Sequence, residues 1–131
     1  DWDTSLIDDM SKLFSKKKEF NDNISNWDVS KVKSMQYMFV ACKNFNQPLN
    51  NWSVSNVTTM QSMFSYASNF NQDISAWDVS NVTTMERMFY KCTNFNRSLN
   101  NWDVSHIIDM ESMFLNTKFK FNISECWNLQ R

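Results

Sequence analysis

Apolar residues recur along this chain with a single period. Tryptophan stands at 2, 27, 52, 77, 102 and 127, so every interval is 25 residues. Methionine keeps the same interval at 10, 35, 60, 85 and 110, and again at 38, 63, 88 and 113, with Leu13 holding that place in the first copy. Phenylalanine does so twice, at 14, 39, 64, 89 and 114 and at 20, 45, 70 and 95. Self-similarity at a fixed interval marks a repeat architecture, and a unit of this length lies in the range of about 20–29 residues typical of leucine-rich repeats.

Each unit carries two patterns. In "ISNWDVSKV" (24–32) Ile24, Trp27, Val29 and Val32 are apolar, and "LNNWSVSNV", "ISAWDVSNV" and "LNNWDVSHI" repeat the arrangement. The Trp-x-Val alternation predicts a short strand with one buried face. The period then changes. Met60, Met63, Phe64 and Ala67 fall at i, i+3, i+4 and i+7, which predicts a helix of about two turns. Thr58 with Gln61, and Thr83 with Glu86, have the spacing of a capping box. The "NFNQ" and "NFNR" stretches predict return loops, because Asn tolerates left-handed backbone in a chain that contains no glycine. Stacked copies would align Asn46, Asn71 and Asn96 into an amide ladder able to satisfy loop carbonyls.

The expected fold is therefore an α/β repeat solenoid. It would be a leucine-rich-repeat-like right-handed superhelix with a parallel β-sheet on one face and short helices on the other. Residues 1–131 would form a single repeat domain of about five coils, with approximate repeats 1–20, 21–45, 46–70, 71–95 and 96–120 and a partial copy at 121–131. One coil cannot bury its apolar face alone, whereas each coil of a stack covers the next. The ends diverge: Thr4 stands where valine is expected, and the last copy slips by one residue between Phe114 and Trp127. Uncapped ends of such a stack imply self-association through exposed edges.

Charge and composition narrow the function. A net charge of −1 gives no basic footprint for nucleic acid. The longest clean apolar run, "MFVAC" at 38–42, is too short to span a membrane. "DWDTSLIDDM" does not read as a signal peptide. His106 is the only histidine, in a column with Lys31, Asn56 and Asn81. Neither a zinc site nor a nucleophilic triad can be assembled around it. Cys42 and Cys92 share a column two coils apart, beyond disulfide reach, and read as buried fillers. Cys126 lies in the irregular end and is expected to be more exposed. The Lys16–Lys18 run reads as a solvated loop. No cofactor, metal or catalytic residue is indicated.

The remaining candidates face outward from the expected strand. One column holds Asp3, Asp28, Ser53, Asp78 and Asp103, and the next holds Ser5, Ser30, Ser55, Ser80 and Ser105. On the concave face of a leucine-rich repeat these columns would form a polar, mildly acidic contact surface. They also read as solvated strand residues whose serines bond to neighbours. Paired carboxylates such as Asp3 with Asp28 fall short of the six to eight oxygens that calcium takes.

The motif F-N-x-x-I/L-x-x-W-x-V-S-x-V-x-x-M-x-x-M-F, read in "FNQDISAWDVSNVTTMERMF" and its copies, resembles the BspA-like leucine-rich repeats of bacterial surface proteins. The nearest form is the 25-residue tandem repeat found in bacterial surface lipoproteins. The resemblance implies a protein exposed at the cell surface or outside the cell. It also implies a non-enzymatic recognition or adhesion module whose partner is a protein, such as a host surface or matrix protein. The contact region would be the concave strand face or the loop rim. The alternative is a structural spacer or variable surface antigen with no specific ligand.

Overall fold

The computed structural model describes residues 2–123 and 127. Among them there is no helix, and the only β pairing is one residue wide. Isolated parallel bridges run Asp9–Ser34–Thr59–Thr84–Asp109 across the molecule. The expected α/β solenoid, with its sheet and its layer of short helices, is thus not what this chain forms. It is a compact, mostly loop fold in which successive 25-residue segments lie one over the next.

The Met-x-x-Met-Phe segment shows why no helix develops. Met60, Ser62, Phe64 and Tyr66 donate their N–H groups to the carbonyls of Thr84, Glu86, Met88 and Tyr90 in the next coil, at 3.1, 2.9, 2.8 and 2.8 Å. The intervening N–H groups of Met63, Ser65 and Ala67 turn back to Met60, Ser62 and Phe64, at 3.2, 3.2 and 3.0 Å. A two-turn helix would leave the N–H groups of its first turn without partners and spend the later ones inside its own segment, so that none bonded the next coil. Two isolated helical turns rich in Ser, Thr, Tyr and Phe are poor helix formers that carry the full cost of nucleation. Alternating the donors instead bonds each coil to its neighbour. The geometry needs a left-handed residue twice per coil, and Ser62 and Tyr66 supply it at φ 52° and 62°. Because that turn also has a period of about four residues, Met60, Met63, Phe64 and Ala67 all still point inward and are fully buried.

The capping boxes do not form. Thr59 and Thr84, each one residue on from the expected caps, accept the N–H groups of Gln61 and Glu86 at 3.3 Å. Thr58 and Thr83 instead donate their hydroxyls to Lys33 O and Thr58 O at 3.2 Å.

The expected strand is replaced for a different reason. Asp28 Oδ1 accepts the N–H of Ser30 at 3.0 Å and its hydroxyl at 2.6 Å. The same Asp–Ser pair recurs at Asp3–Ser5 and Asp78–Ser80. An Asp side chain that captures the N–H two residues on closes a local turn and competes with strand pairing. Side chains on either side still alternate, so Trp52, Val54 and Val57 are buried while Ser53 and Asn56 are exposed.

Aromatic columns fill the centre. Phe39, Phe64, Phe89 and Phe114 stack at 5.4, 5.7 and 5.7 Å between ring centroids, within 6° of parallel. Trp52, Trp77, Trp102 and Trp127 stack at 6.4 Å throughout. Each of these indoles also donates its Nε1–H to a carbonyl of the coil before it, as Trp77 does to Leu49 O at 2.9 Å. The asparagine ladder forms with inverted polarity: the Oδ1 atoms of Asn21, Asn46 and Asn71 accept the N–H groups of Asn46, Asn71 and Asn96, each at 2.9 Å. The loop carbonyls of Asn21 and Asn46 are satisfied by Gln47 and Gln72, and that of Asn71 by Arg97. In the slipped last copy Phe119 still stacks on Phe95 at 6.3 Å, but the ladder stops and Asn96 Oδ1 is buried without a partner. Thr4, the substitute for valine, is buried and donates its hydroxyl to Asp28 O at 2.8 Å. Trp2, in the first coil, stays 75% exposed.

Two stability outcomes follow. Phe64→Ala should lower the free energy of urea unfolding by about 3–5 kcal/mol, a larger loss than for Phe14→Ala at the half-covered end. Ser62→Gly should be neutral or stabilising by up to about 1 kcal/mol, whereas Ser62→Val should destabilise, because β-branched residues fit the left-handed region worst.

Candidate functional site

Two outward-facing regions carry polar chemistry. The first is the arc of Asp–Ser turns. Asp3, Asp28, Ser53, Asp78 and Asp103 are all exposed, with Ser5, Ser30, Ser55, Ser80 and Ser105 beside them. The turns order these side chains locally, because each aspartate uses Oδ1 on its own serine. Hydrogen bonds from the serine hydroxyl and then the serine N–H hold Asp3, Asp28, Asp78 and Asp103 below the ordinary carboxylate value. Neighbouring carboxylates oppose this weakly, Asp3 acting on Asp28 and Asp103 on Asp78. With no sheet beneath it, the arc is not the concave strand face expected from the repeat pattern. Only the second carboxylate oxygen of each aspartate is left uncommitted by these pairs.

The second region is the edge formed by the left-handed turns. All ten residues with positive φ among those described lie there, in two columns: Lys12, Tyr37, Ser62, Arg87 and Ser112, then Lys16, Ala41, Tyr66, Lys91 and Asn116. Left-handed backbone costs a non-glycine residue roughly 1–2 kcal/mol. Only Asn116 is of a type that adopts it readily. The side chains cluster by chemistry. Lys12 Nζ lies 5.9 Å from the Tyr37 ring, and Arg87 Cζ lies 5.3 Å from Tyr90. Lys91 Nζ lies 5.5 Å from both Tyr66 and Tyr90, whose rings meet edge-on at 5.5 Å. All three tyrosines of the chain stand on this edge. The residue pattern concealed it, because a helix would have spread these positions over a solvated outer face. The only signal in the residues was that these positions differ from coil to coil while the Met and Phe columns between them repeat, a trait they share with other columns such as that of Ser15, Val40, Ser65, Tyr90 and Leu115.

The family comparison agrees with the internal repeat. A family model described as "Mycoplasma protein of unknown function, DUF285" matches twice, over residues 1–78 and 49–131. The chain belongs to this family. The two DUF285 matches overlap at 49–78 and together cover the whole sequence. No curated protein and no solved structure matches. The expected leucine-rich-repeat solenoid is therefore not supported, since the described residues lack its helices and sheet, and the family description gives no support for a lipoprotein.

Other chemistry in this DUF285 chain is modest. Carboxylate oxygens of Glu86, Asp109 and Glu111 lie within 4.8 Å of one another. Glu86 already accepts from Gln61 Nε2 at 3.1 Å, and Asp109 accepts the N–H of Glu111 at 3.0 Å. Three carboxylates, two of them so committed, fall short of a calcium shell. An open hollow of about 400 Å³ is lined by Asp73, Ser75, Asn96, Arg97, Ser98, Asn101 and Phe121, beside the slip in register. His106 is exposed, with Nδ1 3.4 Å from the Ser105 hydroxyl. Cys42 and Cys92 are buried and unpaired, and their thiols donate to Phe14 O and Ala67 O at 2.9 and 3.1 Å. Burial pushes Cys42 up to about 11 and Cys92 further in the same direction. Cys126 lies outside the described residues.

Both titrations have checkable consequences. The Asp28 carboxyl should titrate below 3.8 by NMR and move upward in Ser30→Ala. A depressed carboxylate contributes stability above its unfolded value near 4 and loses it as pH falls through the folded value. The chain should thus lose stability on acidification below about pH 4. Cys42 and Cys92 should resist iodoacetamide at mildly alkaline pH in the folded protein and react once guanidinium unfolds it. Native labelling at Cys92 would contradict the packing described.

Proposed function

We propose that this chain is a non-enzymatic protein-recognition or adhesion module, displayed at the cell surface, whose contact region is the turn edge. One observation carries the reading. The columns that build the stack are nearly invariant from coil to coil, whereas the left-handed turn positions read Lys, Tyr, Ser, Arg and Ser, and Lys, Ala, Tyr, Lys and Asn. Backbone in this region favours glycine or asparagine, so a Tyr, Lys or Arg there is retained at an energetic cost. Such residues are useful for what their side chains present to the outside. Tyrosine and arginine are also the side chains most often central to protein interfaces. The Asp–Ser columns remain a secondary rim, since their geometry is explained by the turns they close. The surface location rests on the resemblance to BspA-like surface proteins. A spacer or variable antigen is the competing reading, because a self-stacking unit needs no ligand to be useful.

The test is binding to a panel of purified surface and matrix proteins, measured by interferometry. Wild type should bind at least one with micromolar affinity. The combined variant Tyr37→Ser, Tyr66→Ser, Arg87→Ser and Lys91→Ser should lose most of that affinity at unchanged melting temperature. Serine is the chosen replacement because Ser62 and Ser112 already occupy the same backbone conformation. An unaffected variant, or a panel with no binder at all, favours the spacer.

A further inference from the structure

Resting on that reading of the turn edge, we infer that its partner is an extended acidic segment of another protein, with carboxylates spaced along it and a basic residue among them. The cations of this edge are chemically open. Among the described residues, Lys12, Arg87 and Lys91 face tyrosine rings, and no carboxylate pairs with them or with Lys16. A cation over an exposed aromatic face is held only weakly, by roughly 0.5–1 kcal/mol, and keeps its outward N–H donors. A carboxylate can therefore dock on the cation while an apolar or aromatic residue packs on the ring beside it.

The geometry selects an extended polypeptide. Adjacent coils are joined by parallel bridges and by N–H···O bonds of 2.8 to 3.1 Å along the Met-x-x-Met-Phe arc, a spacing of about 4.8 Å. An extended chain presents same-face side chains about every 6.8 Å. Same-face residues of a partner running along the stack thus fall roughly every one and a half coils, so contacts can be made at intervals and need not be made at every coil. The lysines of the first coil and the Arg87–Lys91 pair of the fourth are three coil spacings apart, about 14 Å, which about four or five extended residues span. The flanking charge argues against a uniform polyanion. Glu86 and Glu111 immediately precede the turn residues Arg87 and Ser112, and with Asp109 they place three carboxylates within 4.8 Å of one another. A nucleic acid, a sulfated polysaccharide or an anionic bilayer carries negative charge at every unit and would be repelled there. A polypeptide can set a lysine or arginine at that point and acidic residues on either side, so the same cluster that rejects a polyanion fixes the register of a mixed sequence.

The experiment uses four probes on the whole chain: a fluorescent peptide of alternating Glu and Ser with one central Lys, its Glu→Gln counterpart, heparin, and phosphatidylserine vesicles. The Glu peptide should bind, weaken about tenfold from low to high salt, and weaken at least about tenfold in Arg87→Glu with Lys91→Glu. Arg87→Ser with Lys91→Ser should weaken it as well, by less, in a protein whose backbone is matched by Ser62. Asp28→Lys, Asp78→Lys and Asp103→Lys together should change it less than twofold. Equal binding of the Glu and Gln peptides, no binding of either, or tighter binding to heparin or to vesicles overturns the acidic-polypeptide partner. Those results leave the recognition reading standing whenever the protein panel yields a binder lost in the serine variant. An empty panel removes the recognition reading by itself.

Discussion

The structure depends on one constraint, that every second N–H along the Met-x-x-Met-Phe arc belongs to the neighbouring coil. Those donors cannot be satisfied within their own segment, and a buried N–H without an acceptor costs about as much as a lost hydrogen bond. Each coil is therefore incomplete until the next is in place. Register follows at once. With the donors set at a spacing of 24 residues and the bridges at 25, Phe64 has one position relative to Phe89, and the ring stacks and indole bonds add to an alignment already fixed. The slipped last copy shows the order of precedence. Its Phe119 and Trp127 keep their places on Phe95 and Trp102, while the asparagine ladder gives way and leaves Asn96 Oδ1 orphaned. Large apolar rings outweigh one amide hydrogen bond, in line with the relative size of the two terms.

Which parts of this were legible from residues alone has a physical explanation. Inward-pointing positions were, because burial requires only that a side chain face the core at the right interval. Trp52, Met60, Met63, Phe64 and Phe70 are buried where the period placed them. The backbone between them was not. An i, i+3, i+4, i+7 pattern is produced by an α-helix and equally by a chain of turns that returns to one face every four residues, and only the destination of the N–H groups distinguishes them. A Trp-x-Val alternation likewise reads as strand unless the Asp between them is seen to capture the N–H of the serine two residues on. That capture was written in the sequence as D-x-S. Its consequence, a turn in place of a sheet, removed the concave face on which the Asp and Ser columns had been expected to act.

The same competition explains where the molecule stores strain. A glycine-free chain that folds through repeated left-handed turns concentrates the cost in two columns, and at most of those positions asparagine or glycine would lower it. Residues of the Trp, Met and Phe columns are held by burial and have little freedom to vary, whereas other outward columns, such as Lys33, Thr58, Thr83 and Ile108, vary without any demand on backbone conformation. Apart from the buried Ser62, the turn side chains lie outside the core, and in the first four coils their N–H groups are bonded to the next coil whatever side chain they carry. Variation there is cheap in packing and expensive in backbone conformation, which is the combination expected of positions kept for contact.

Charge then separates the two outward regions by how far each has already been used. On the Asp–Ser arc a negative charge is held by hydrogen bonds from its own turn, so a partner's cation would meet a carboxylate with one oxygen committed. On the turn edge the positive charge rests against π-faces, which attract it without neutralising it. A chain with a net charge near zero thus presents one side whose charge is largely spent on its own architecture and another whose charge is still available. Complementary binding draws on the second kind, because attraction that already stabilises the fold cannot be counted again for the partner.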